Sequence, residues 1–132
     1  MIKEAYVSFE VAKLLKEKGF EGECIAYYSK YKDNNLNLYR WRNRQTYVNV
    51  RNNGYTLVPT HQMAKAWLRE KYNIYISIQP DFPSSKDYKM CWCWSANILH
   101  ENCISLKGYQ CYIETYEKAT EEAIKYCLKN LT

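Results

Sequence analysis

The chain has 132 residues, 25% of them charged and 47% apolar, which is ordinary globular usage and excludes a largely disordered polymer. That length suits one domain, able to bury roughly two-thirds of its unfolded surface. The formal net charge is +5; residues 30–51 hold six basic residues (Lys30, Lys32, Arg40, Arg42, Arg44, Arg51) against the single acid Asp33, so the whole excess sits there.

Three helices and six strands are legible in chain order. Ser8 can cap a first helix, with Glu10 in its positive first turn, Val11, Leu14, Leu15 and Lys18 on one face and Gly19 as the stop. Strands follow over 24–30, 36–42 and 47–50, with turn chemistry at Asp33-Asn34-Asn35 and Asn52-Asn53-Gly54. A second helix starts after Pro59 with Thr60 as its cap, and Met63, Ala64, Trp67 and Leu68 form its apolar stripe. Ile74, Ile76 and Ile78 alternate with Tyr75, Ser77 and Gln79, the period of a half-buried strand. Pro80, Asp81, Phe82, Pro83 and two serines then read as a loop. A further alternation sets Tyr88, Met90, Trp92 and Trp94 against Lys89, Cys91, Cys93 and Ser95, and a short strand spans 109–114. The third helix begins near Thr115, with Glu117, Glu121 and Glu122 early and Lys125 and Lys129 late, as the helix dipole favours. Its apolar face is Ala119, Ala123, Ile124, Cys127 and Leu131.

The expected fold is therefore a single α+β domain over 1–132, in the order α-βββ-α-βββ-α, with antiparallel sheet packed by three helices. Leu14, Leu15, Trp67, Leu68, Ala123, Ile124 and Leu131 are the expected helix contribution to the core. The two helix-plus-strands blocks share little identity when Val11-Ala12-Lys13 is set against Met63-Ala64-Lys65, so duplication is not inferred.

The amino terminus meets Glu4 before any apolar run forms, and no stretch approaches the roughly 18 apolar residues of a membrane span. The expectation is a cytoplasmic protein with no membrane partner, whose six cysteines (24, 91, 93, 103, 111, 127) stay reduced. Cys91, Cys93, His100, Cys103 and Cys111 raise a zinc site, but one residue between Cys91 and Cys93 in a strand sets them roughly 6.5–7 Å apart. Tetrahedral zinc needs sulfurs about 3.8 Å apart, so neither metal nor cofactor is expected. No local signature pairs a cysteine with His61 or His100; His61, in the first turn of the second helix, reads as a surface or capping contact. With four glycines, a phosphate-cradling loop has little room, and no catalytic residue or enzyme activity is expected.

The basic segment is the strongest remaining signal. If 36–44 is extended, Arg40, Arg42 and Arg44 form a comb on one face, with Tyr39, Trp41 and Asn43 on the other. Guanidinium groups at that pitch could meet phosphates while a ring stacks on a base. Arginine and aromatic anchors equally suit an acidic protein partner. The same pattern also serves a plain solvated edge strand over aromatic core residues. The expected binding residues are Arg40, Arg42, Arg44, Tyr39, Trp41, Lys30, Lys32 and Arg51, with a protein partner preferred over DNA or RNA. Helix, three strands, helix over 60–131 is also the element order of double-stranded RNA-binding domains. Glu114, Glu117, Glu121 and Glu122 stand where those domains place lysines, so that function is not expected there.

Two stretches carry a resemblance. Val58-Pro59-Thr60-His61-Gln62-Met63-Ala64-Lys65-Ala66-Trp67-Leu68-Arg69-Glu70 and the ending Tyr116 to Leu131 (YEKATEEAIKYCLKNL) are similar to a family of small uncharacterised proteins of gut bacteria, often encoded in prophages and mobile elements. These motifs sit on amphipathic helices and name no chemistry, so no site residue carries over. The resemblance implies a small, non-enzymatic accessory protein of a phage or mobile element that binds a macromolecule.

Overall fold

The computed structural model describes residues 4–22, 24–30, 36–40, 55–82 and 89–132. Within them run α1 (Phe9–Glu17), β1 (Ala26–Lys30), β2 (Leu36–Arg40), β3 (Thr56–Val58), α2 (His61–Tyr72), β4 (Ile74–Asp81), β5 (Cys91–Leu99), β6 (Ile104–Ile113) and α3 (Tyr116–Asn130). The order is α-βββ-α-βββ-α, an α+β fold with two three-stranded antiparallel sheets. Contacts gather in two compact units, Met1–Met63 and Ala64–Thr132, with the division inside α2.

Helix ends form as their residues dictate. Ser8, Thr60 and Thr115 each accept a hydrogen bond from the backbone N–H three residues on (Val11, Met63 and Lys118), satisfying donors that a helix start leaves unpaired. Gly19 lies at φ 90°, where a side chain would be strained. Its N–H donates to Lys16 O and that of Phe20 to Leu15 O, the paired bonds of a Schellman stop. Asn73, at φ 56°, ends α2 in the same region, which its short polar side chain tolerates.

In the first unit the strand order is β2-β1-β3, and α1 packs against β3. Val7, Val11, Ala12, Leu15, Ala26 and Val58 are buried there. The chain before α1 is tied back by a Tyr6–Thr60 bridge and by Val7 N–H donating to Pro59 O. Leu14, expected in the core, is only half-buried, and Ala12 takes the place beside Leu15. The strand expected over 47–50 lies outside the described residues, as do both asparagine turns. The third strand observed is Thr56–Val58, too short to show an alternation in sequence.

In the second unit β4-β5-β6 is a meander, and α3 covers one face of it. The first sheet instead centres on its earliest strand, so the two blocks differ in topology as well as in sequence. Ala119, Thr120, Ala123, Ile124, Cys127 and Leu128 of α3 are buried; Leu131 is only half-buried, because the helix has ended before it. Thr120 enters the core by donating its hydroxyl to Tyr116 O at 2.9 Å. Trp67, also expected in the core, is half-buried, with Lys71 Nζ 5.0 Å from its ring centroid.

β4 runs through Pro80 to Asp81, which sequence reading assigned to a loop. Proline is tolerated because β4 is an edge strand. β5 and β6 are both longer than expected, and two register shifts break their ladder. At the first, Trp92 faces Ile113 and Trp94 faces Gln110, so Cys111 and Tyr112 together oppose Cys93. Tyr112 takes φ 63° to make that bulge. The second shift falls beside Gly108. There the missing side chain lets the Tyr126 ring lie on the strand, with its hydroxyl donating to Lys107 O at 2.7 Å. Among the described residues, no helix is long and apolar enough to cross a membrane.

Candidate functional site

Of the eight binding residues expected from sequence, the structure describes Tyr39 and Arg40 in full, and the backbone of Lys30 at the end of β1. Trp41, Arg42, Arg44, Lys32 and Arg51 lie outside the described residues. Strand β2 carries Tyr39 opposite Tyr27, and Arg40 opposite Ala26. Ala26 is buried with Val58 on the α1 side, and Tyr28, two residues on, meets Phe9 of α1 edge-on at 5.7 Å. Arg40 therefore belongs to the α1 face. It is exposed, and its guanidinium lies 5.2 Å over the ring of Tyr6.

Tyr39 belongs to the opposite face. Its ring stacks on Tyr27 with centroids 5.6 Å apart, and Tyr27 in turn meets Tyr55 at 5.7 Å. Leu57 pairs with Tyr27 and stands on the same side. Three tyrosines thus cross the sheet in a row, from β2 through β1 to the residue before β3. Alternation along strands predicted that Tyr39 and Arg40 would point apart, and they do. One alternative read from sequence, a solvated strand over aromatic core residues, turns Tyr39 toward the core; here Tyr39 faces away from α1, while Arg40 is exposed on the α1 face. Tyr27 and Tyr55, which share this row, are not among the residues expected from sequence. Their signal lies in tyrosines at strand positions that pair across the sheet, and pairing is not written in any one strand.

A second cluster lies in the other unit. Cys93 and Cys111 form a disulfide, with Cα atoms 4.1 Å apart across β5 and β6. This corrects the expectation that all cysteines are reduced: the bulge at Cys111–Tyr112 sets two cysteines from different strands face to face, which spacing alone does not reveal. Asp81 Oδ2 lies 3.7 Å from Cys93 Sγ, and Tyr109 Oη donates to Cys111 Sγ at 2.6 Å. Cys91 is buried, its Sγ 3.7 Å from the Asp81 carbonyl oxygen. His100 and Cys103 sit at the far end of the hairpin, joined by His100 N–H to Cys103 O. Seven residue steps along the strand separate His100 from Cys93, about 23 Å, so they cannot share a site with it.

The other cysteines are Cys24 and Cys127, both buried, whose thiols are pushed up to about 12 by desolvation. They are neutral packing groups. His61 is buried at 8% exposure rather than a surface contact, its N–H donating to Ala5 O.

No protein-family model, curated protein or solved structure matches this chain.

Proposed function

We propose that this is a non-enzymatic binding protein whose first sheet engages an acidic protein partner through the Tyr39–Tyr27–Tyr55 row and Arg40 at its edge, within the basic segment 30–51. The row carries the reading. Tyrosine offers a large rigid apolar body and a polar tip at low entropic cost, which is why it anchors protein interfaces. The charge of segment 30–51 supplies the complement to an acidic partner and raises its encounter rate.

Placement favours protein over nucleic acid. A single strand is held by cations that track phosphates beside rings that stack on bases, and both must face it together. Arg40 and Tyr39 stand on opposite faces of β2. A folded partner gripping the edge strand can touch both.

The role in a phage or mobile element, and a cytoplasmic location, belong to the same proposal. The first rests on the resemblance of the helix motifs. The second does not rest on the cysteines, since the exposed Cys103 thiol suits a reducing compartment and the Cys93–Cys111 disulfide an oxidising one.

A host-lysate pull-down, with and without nuclease, tests the reading on wild type, Tyr39→Ala and an Arg40→Ala/Arg42→Ala/Arg44→Ala variant. The expected result is a partner recovered equally with nuclease and lost from both variants. Loss of an aromatic anchor costs about 2 kcal/mol, roughly thirtyfold in affinity. Recovery abolished by nuclease replaces the protein partner with nucleic acid; equal recovery by all three proteins removes the surface from consideration.

A further inference from the structure

The Asp81–Cys93–Cys111 cluster lies outside the surface just described, and none of that reading depends on it. Its donor atoms, two sulfurs and a carboxylate oxygen from three adjacent strands, all lie within 4.8 Å of one another. We propose that, once the disulfide is opened, this cluster is a binding site for a divalent transition ion, zinc above all.

The geometry is specific. With Zn–S near 2.3 Å and Zn–O near 2.0 Å, a tetrahedral site separates a sulfur and an oxygen ligand by about 3.5 Å. Asp81 Oδ2 and Cys93 Sγ stand 3.7 Å apart, already at that edge. The two sulfurs need a separation of about 3.8 Å, which the covalent bond between them forbids. Cys93 and Cys111 project from one face with Cα atoms 4.1 Å apart, so side-chain rotation after reduction supplies the opening without moving the strands.

The surroundings suit a metal thiolate. Tyr109 Oη, 2.6 Å from Cys111 Sγ, is placed to donate to that sulfur, the outer-sphere bond that orients and tempers a ligating thiolate. Two thiolates and one carboxylate favour zinc over magnesium or calcium, which prefer oxygen. Three protein ligands leave a fourth position for water. Both cysteines and Asp81 are half-buried, so ion and reductant can enter.

The bonded and metal-holding states exclude each other, which makes the site redox-gated. In the opening step the Sγ–Sγ bond breaks and each sulfur gains one electron and one proton. A phosphine reductant supplies the electrons, taking oxygen from water to become its oxide while the two hydrogens of that water end on the thiols. The ion then displaces both thiol protons to solvent.

Cobalt(II) added under argon reports the site, because thiolate ligation gives a near-ultraviolet charge-transfer band and tetrahedral geometry gives intense visible bands. Cys103, exposed in the hairpin turn, is replaced by Ser in every sample. The phosphine-reduced protein is expected to show both bands at one ion per chain and to lose them on adding zinc. The oxidised protein, identical in sequence, is expected to show neither. Asp81→Asn should keep the charge-transfer band with affinity lowered roughly tenfold or more. Cys91→Ala should bind as the parent does. Absence of bands after reduction, or their survival in Cys93→Ser/Cys111→Ser, overturns the proposal; so do equal bands in the oxidised protein.

Discussion

Gly108 shows how one missing side chain can organise a sheet face. A Cβ there would stand 2.9 Å from Tyr126 Cζ and closer still to Cε1. The ring cannot simply swing aside, because it also packs against Trp94 at 5.1 Å and its hydroxyl is bound to Lys107 O. Gly108→Ala should therefore cost about 1–3 kcal/mol, the usual penalty of overpacking. Tyr126→Phe, which keeps the ring and loses one hydrogen bond, should cost about 1 kcal/mol. Urea denaturation of the two variants checks the order, and an Ala variant as stable as wild type would show the contact to be soft. The strand expected from sequence starts one residue later, at Tyr109, and leaves Gly108 outside it; the ring that requires the glycine lies 18 residues away and is brought there by α3.

At the scale of elements, the helices were the most legible part. Each start was carried by a short side chain three residues before the amide it binds, and such local chemistry needs no knowledge of the fold. Thr115→Ala should lower stability by about 1 kcal/mol, since Lys118 N–H loses the acceptor 3.1 Å away. Thr115→Ser should restore most of it, which thermal unfolding would detect. The strands were legible in existence and not in extent. β4 continues through a proline because an edge strand needs no donor on its open side, and β6 begins well before its expected start because two bulges scramble its alternation. With Asp81 expected in a loop and Cys111 without a partner, the cysteines raise a zinc site only through the Cys91–Cys93 spacing that rejects it, and the Asp81–Cys93–Cys111 grouping is not legible.

At the scale of the whole molecule, the buried thiols link folding to pH. Cys24 lies in the first unit and Cys127 in the second, and burial raises each from 9.0 to about 12. Between those values the unfolded chain binds fewer protons than the folded one, so stability is fully present below about pH 9 and falls as pH rises toward 12. Tyrosines titrate in that window too, so the informative measurement is the difference between wild type and Cys127→Ala, which should shift against wild type as pH rises. Native-state alkylation near pH 8 should modify Cys103 and leave Cys24 and Cys127 untouched until unfolding. Early modification of either would show its burial to be transient.

The order of elements, the helix caps, the Gly19 stop and the concentration of charge at 30–51 follow from the amino-acid sequence alone, because each depends on neighbours within a few residues. Which face of β2 meets the helix, which tyrosines line up across β1, and which cysteines meet were decided only by the tertiary structure. Register is the physical reason. A shift of one residue turns every side chain of a strand to the other face, and a single bulge sets that shift from a distance the local sequence does not span.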